Sequence, residues 1–329
     1  MRLVTSFSIA MFSLALPLIC LLLIGCDKSA TNSSTSDNSV QINEIEIPAN
    51  YPLTVTDELQ REVKIVTPPQ RIVSLSPSNT ETLFVLGLED RIVGVTHLCD
   101  YPPAALEKEK VGDFNANSIS MERIISMKPD LVISGGGFHQ DVISNLTRLN
   151  VTVLAVEPKQ FDQIYARIEL LGKVCDVEPK ATELVESLKK RVAVVRKRSI
   201  EIKPDPPIKV FYQIWNDPIS TTGNVSFIGE MLQTVQVNNV FSDLNTGYAP
   251  ITEEALLVKN PELFLIPMYH GGEEDVEQIL SRPAWQGIDA IKNKRIAFLP
   301  DDEVSRHGPR FVEGLEAIFH ACYPEATLD

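Results

Sequence analysis

The chain has 329 residues, 44% of them hydrophobic and 22% charged, a balance that excludes disorder over most of its length and a size that suits two lobes better than one core. Forty-four acidic residues against 30 basic ones give a net charge of −14. No Lys- or Arg-rich stripe supplies the basic face that a nucleic-acid binder needs.

Arg2 is followed by an uncharged, largely apolar run from Leu3 to Gly25, which reads as a signal peptide or a retained membrane anchor. The run ends in Leu23-Ile-Gly-Cys26, which resembles the lipobox of bacterial lipoproteins. That resemblance implies cleavage after residue 25 and a diacylglyceryl group on the Cys26 sulfur; the alternative is an ordinary thiol at the end of an uncleaved anchor. Residues 26–50 are rich in Ser, Thr, Asn and Asp and are expected to form a flexible tether. Asp27 resembles the signal that keeps lipoproteins in the inner membrane of many Gram-negative bacteria. The expected location is therefore the periplasmic or extracytoplasmic face of the cytoplasmic membrane. Cys99, Cys175 and Cys322 can form one disulfide at most, and no CxxC pair exists.

From Tyr51 onward, β-branched runs alternate with amphipathic stretches. Arg71–Leu75 reads as a strand, and Ser78-Asn-Thr-Glu81 has the form of a capping box opening a helix through Leu86. Arg91–Val95, Leu131–Ser134 and Val151–Val156 are further strands, with helices at Met121–Met127 and Gln140–Leu149. Later strands are Lys209–Ile214, Leu263–Pro267 and Arg295–Leu299, with helices at Ser226–Thr234, Thr252–Val258, Asp275–Leu280 and Pro309–His320. This alternation predicts parallel sheets in layered α/β lobes.

The segment Ser120–Ile133 aligns without gaps on Thr252–Leu265. Each copy has a hydroxyl N-cap, a carboxylate two residues on, an apolar pair, a Pro that stops the helix and a buried strand. Duplication of a lobe is the reading that explains all five features together. Between the lobes, Phe161–Val174 and Pro179–Ile200 read as helices, the second roughly 33 Å long, with Pro179 at its first position. A helical connector bends less than crossed strands, so lobe closure is expected to be small. The chain thus divides into a signal peptide (1–25), a tether (26–50), an N-terminal α/β lobe (51–159), a connecting backbone helix (160–202) and a C-terminal α/β lobe (203–329).

Several motifs carry a family resemblance in their order and spacing: Arg71-Ile-Val-Ser-Leu-Ser-Pro-Ser-Asn-Thr-Glu81, Val93-Gly-Val95 with Cys99-Asp-Tyr-Pro-Pro103, Met121-Glu-Arg-Ile with Lys128-Pro-Asp-Leu-Val132, Ser226-Phe-Ile-Gly-Glu230, and Gly308-Pro-Arg-Phe-Val-Glu-Gly-Leu315. From about Tyr51 to Pro324 the chain resembles the substrate-binding proteins of iron-complex and vitamin B12 ABC importers, most closely the cobalamin-binding branch. The resemblance implies two α/β lobes joined by a long backbone helix, a ligand cleft between them and no catalysis. It also implies a monomer that delivers a corrinoid, or else a ferric siderophore or haem, to a permease dimer with its ATPase subunits. Glu122 and Glu254, equivalent in the two repeats, would dock to that permease.

In parallel α/β lobes, ligands sit beyond the carboxyl ends of the strands. The residues at those positions are His97, Tyr101, Phe114, Phe138, His139, Trp215, Tyr248, His270, Asp302, Arg306 and His307. A corrinoid needs aromatics for its faces and polar groups for its rim. The resemblance puts Phe114, Trp215 and Tyr248 in the first role and Asp302 and Arg306 in the second. Each aromatic taken alone is equally well explained by core packing. Gly135–Gly137 reads as a tight turn or a close backbone approach to ligand. No two histidines have short metal-ligand spacing, so no resident metal or cofactor is expected, and at most one histidine, such as His97 or His139, would make an axial or polar contact. A lipid-anchored α/β hydrolase is the contrasting class, but Gly-x-Ser-x-Gly and HExxH are absent, and nothing locates a base for Ser76 or Ser78.

Overall fold

A computed structural model describes residues 48–268, 277 and 279–328. Cys26, the tether as far as residue 47, His270 and half of the expected helix Asp275–Leu280 lie outside the described residues. Among the described residues no helix is long and apolar enough to cross a membrane.

The first elements are an antiparallel hairpin of β1 (Leu53–Thr56) and β2 (Glu62–Ile65), whose residues alternate between buried and exposed, the pattern of a ribbon with one face on the core. Then come β3 (Ile72–Ser74), α1 (Pro77–Val85), β4 (Ile92–Val95), α2 (Met121–Ser126), β5 (Leu131–Ser134), α3 (Gln140–Arg148) and β6 (Val153–Ala155). The strands form a parallel sheet in the order β4-β3-β5-β6. All four residues of β5 are buried, because helices cover both faces of the sheet.

Two helices follow, α4 (Phe161–Val174) and α5 (Glu178–Ile202), with Pro179 at the second helical position rather than the first. The second lobe contains β7 (Lys209–Tyr212), β8 (Trp215–Asn216), β9 (Ile219–Thr222), α6 (Phe227–Thr234), β10 (Asn238–Asn239), β11 (Tyr248–Pro250), α7 (Glu253–Lys259), β12 (Leu263–Met268), α8 (Asp289–Lys292), β13 (Ile296–Pro300), α9 (Asp301–Ser305) and α10 (Phe311–Cys322). Its main sheet is parallel, in the order β10-β7-β12-β13. A small antiparallel sheet, β11-β9-β8, stands beside it.

The duplicated segments fold alike. Ser120 caps α2 by accepting from the Arg123 N–H at 3.3 Å, and Thr252 caps α7 by accepting from the Ala255 N–H at 3.2 Å. The strands β5 and β12 then start at equivalent positions. One apolar core includes Ile72 and Ile133 of the first sheet, Val210 and Leu265 of the second, and the inner faces of α4, α5 and α10. This shared core explains why the described residues form one compact unit. Cys99, Cys175 and Cys322 are all buried and free, so no disulfide links them.

The capping box expected at Ser78 does not form. Pro77 occupies the first turn, Ser76 stands at the N-cap position without a side-chain bond, and Ser78 lies inside α1. Glu81, read as the cap's partner, is 1% exposed and faces two arginines of the other lobe.

A cleft between the two lobes

The carboxyl ends of β3, β5 and β6 meet the segment after β13 at the lobe junction. There, a cavity of about 310 Å³ is lined on one side by Ser76, Phe114, Phe138 and Pro158 and on the other by Ser305, Arg306 and His307. A second cavity of about 220 Å³ is lined by Tyr212, Phe227, Tyr248, Ser305 and His307. Ser305 and His307 belong to both, so the segment around them is a partition within one cleft. A larger groove of about 690 Å³ lies between α4 and α5. Its lining comes from helices alone, with Lys189, Arg196 and Lys197 interleaved among Asp162, Glu201 and Glu230, and it touches no strand end.

Phe114 and Phe138 lie with ring centroids 5.8 Å apart, and Phe138 is 68% exposed. Tyr248 is 51% and Trp215 57% exposed. Tyr248 pairs with Thr222 and Trp215 with Ser220, two residues apart on β9, so the register puts both aromatics on one face of the small sheet. The Trp215 indole donates to the Asp217 carbonyl at 2.9 Å. Core packing therefore does not account for Phe138, Tyr248 or Trp215.

Tyr101 takes another role: the Arg310 guanidinium stacks 3.7 Å from its ring centroid, and it lines neither cavity. Arg306 lines the first cavity, but its guanidinium donates to Glu81 at 3.0 Å and Asp100 at 2.8 Å and pairs with Asp302 at 2.9 Å. Arg310 donates twice to Glu81, at 2.9 and 3.0 Å, and also pairs with Glu303. Asp302 and Arg306, expected at a ligand's rim, are thus part of an ionic cluster that bridges the lobes. Burial pushes the Asp302 carboxyl above its usual range, even with Arg306 beside it. Gly308 completes the junction, since a Cβ there would sit 3.3 Å from the Cα, Cβ and O of Ser78.

The structure separates the histidines. His97 stands in the open, 3.2 Å from Asp113. His139 is fully buried: its Nδ1 accepts from the Gly135 N–H at 3.2 Å and lies 3.0 Å from Ser134 Oγ, and its Nε2 lies 2.7 Å from the Phe114 carbonyl. That carbonyl can only accept, which puts a proton on Nε2, and the Gly135 N–H can only donate, which leaves Nδ1 bare, so the ring is neutral. Both nitrogens are engaged, so His139 does not present an axial ligand; it anchors the Phe114 loop to the Gly135–Gly137 turn. His307 donates from Nδ1 to the Pro158 carbonyl at 2.7 Å.

Glu122 and Glu254 are exposed on the second residues of α2 and α7. The Glu254 carboxylate accepts from its own backbone N–H and the Thr252 hydroxyl, which holds it below its usual range. The reading of the sequence missed Glu81 and Arg310, the central pair of the junction. Arg310 stood within a motif, Gly308-Pro-Arg310, that carried no assigned role.

Two α/β lobes with an open, aromatic-walled cleft at the ends of their parallel strands define a substrate-binding protein. The profile of the periplasmic binding protein family matches residues 72–303, and the chain belongs to that family, whose members are transport components and not enzymes. It is 35% identical over 316 residues to the ABC transporter substrate-binding lipoprotein YvrC of Bacillus subtilis, covering 94% of this chain and 96% of that protein. The crystal structure of the periplasmic vitamin B12-binding protein BtuF of Vibrio cholerae superposes with a TM-score of 0.67 at 28% identity, covering 78% of this chain and 97% of that one. A possible iron-binding periplasmic solute-binding protein from Staphylococcus epidermidis gives a TM-score of 0.70 at 31% identity, covering 78% and 100%.

Proposed function

We propose that this chain is the monomeric substrate-binding component of an ABC importer, that it captures a corrinoid in the cleft, and that it delivers this cargo to a permease dimer driven by ATPase subunits. The observation that carries the reading is a set of large exposed aromatics: Phe138 and Tyr248 on the cavity walls, and Trp215, which lines neither cavity but stands on the same face of the small sheet as Tyr248. A planar macrocycle larger than either cavity would span both and lay its faces on these rings. The likeness to the vitamin B12-binding protein of Vibrio cholerae supports the same ligand class. Lipid on Cys26 would hold the protein at the extracytoplasmic face of the membrane, in keeping with its likeness to a substrate-binding lipoprotein.

A ferric siderophore or haem is the second reading, favoured by the likeness to the possible iron-binding protein of Staphylococcus epidermidis. Titration with cyanocobalamin, hemin and a ferric hydroxamate, followed by calorimetry and absorption, separates the two. Saturable binding of cyanocobalamin alone supports the corrinoid reading. Binding of hemin or the hydroxamate without cyanocobalamin replaces it with the second.

A further inference from the structure

His307 occupies a singular place in the cleft. It is the residue after Arg306 in the partition, and it lines both cavities. Its ring rests on the buried Phe227, with centroids 4.3 Å apart, while its Nδ1 is 2.7 Å from the Pro158 carbonyl. A carbonyl oxygen can only accept, so Nδ1 carries the proton and Nε2 keeps its lone pair. Nε2 has no hydrogen-bond partner among the described residues. This is the support that metal-ligating histidines use: one ring nitrogen tied to a backbone carbonyl, which fixes tautomer and orientation, and the other left as a base.

Among the described residues no group of three or more His, Cys, Asp or Glu side chains could hold a metal ion by itself. A single imidazole base in a cleft with aromatic walls suits a metal that arrives already chelated, with one exchangeable axial position. We propose that His307 Nε2 is the axial ligand for the metal of the captured chelate. The proposal rests on the metal-chelate reading of the cleft. The step is ligand exchange without redox change: the bond from the metal to its axial water breaks, the water leaves, and the Nε2 lone pair forms the new bond. His97 is ill placed for this, being paired with Asp113 outside both cavities, and both nitrogens of His139 are occupied.

The test uses aquacobalamin, whose axial water exchanges, cyanocobalamin, whose cyanide does not, and hemin. Each is added to the full chain and to the His307→Ala and His307→Gln variants. Gln keeps a side-chain N–H donor but no imidazole lone pair, and the melting temperature of each variant verifies its fold. Binding of aquacobalamin or hemin to the native chain should shift the visible or Soret band to that of an imidazole complex. The shift should vanish in both variants, with affinity falling roughly tenfold or more, the scale of losses around metal ligands. Added imidazole should restore the band in His307→Ala, and cyanocobalamin should bind all three proteins alike. Identical spectra in the native chain and both variants would overturn the ligation while leaving the metal-chelate reading intact. Failure of all three chelates to bind the native chain would overturn the ligation together with the corrinoid and haem readings.

Discussion

Glu81 of α1 and Arg310, just before α10, meet across the lobe junction in a two-pronged contact, with both carboxylate oxygens accepting from one guanidinium at 2.9 and 3.0 Å. Glu81 is 1% and the Arg310 side chain 10% exposed, so this pair sits inside the protein. Removing one partner strands the other's charge. Arg310→Met should cost about 3 kcal/mol, at the low end of the range for a broken buried pair, because Arg306 still reaches Glu81. Urea denaturation measures it; a change below about 1 kcal/mol, the worth of an exposed pair, would show that the cluster is surface-like.

The aromatic face of the small sheet should matter for binding and not for folding. Trp215→Ala should weaken cyanocobalamin binding by roughly 1–3 kcal/mol with little change in melting temperature. Calorimetry of the variant decides, and unaltered affinity would remove Trp215 from the site.

Glu122 and Glu254 should act on the partner and not on the ligand. Each carboxylate also favours its helix N-terminus, by about 0.3–1 kcal/mol. The Glu122→Arg, Glu254→Arg double variant should therefore bind ligand normally, melt only slightly lower, and fail in cellular uptake and in stimulating the reconstituted transporter's ATPase. Normal uptake would reduce both residues to helix-end charges.

Histidine burial sets a pH window. Burial holds both His139 and His307 below the usual imidazole value; the nearby Arg167 adds to the effect at His307, and the Pro158 bond opposes it. Below about pH 6.5 the unfolded chain takes up protons that the folded one refuses, so stability should fall as pH drops through that value and level off beneath the depressed folded values. Urea midpoints from pH 7.5 downward should show this slope, and His307→Gln should reduce it. A flat profile would mean that neither imidazole resists protonation.

Acylation is checked at Cys26. Cys26→Ser should accumulate as unprocessed precursor, and normal processing with membrane fractionation would sink the lipid assignment.

What the sequence made legible follows from the range of the forces involved. Runs such as Leu131–Ser134 and Leu263–Pro267 announce themselves because both faces are buried, and the hydroxyl caps Ser120 and Thr252 bond within three residues. The small sheet was missed because β8 and β11 are two and three residues long and include Asn and Pro, with no alternation to read. The hairpin β1–β2 did alternate, but its turn has Gln60 at φ 59° where Gly or Asn is the usual signal. Glu81 was misread because Ser-x-x-Glu is a local pattern, whereas its true partner is 229 residues away. The aromatics of the cleft were legible from strand ends; which histidine keeps a bare nitrogen was not, since that depends on the Pro158 carbonyl, 149 residues from His307.

The three buried thiols make the fold indifferent to oxidants. A thiol reacts as its anion, and burial pushes Cys175 and Cys322 up to about 12 and Cys99 upward as well. At neutral pH all three stay protonated behind closed packing, with no cross-link to make in an oxidising compartment and none to lose in a reducing buffer. From Pro48 onward the described chain is therefore a silent background for thiol chemistry. A cysteine placed by design on each lobe would be the one that takes a fluorophore or spin label, and the distance between two such labels would report the lobe angle directly.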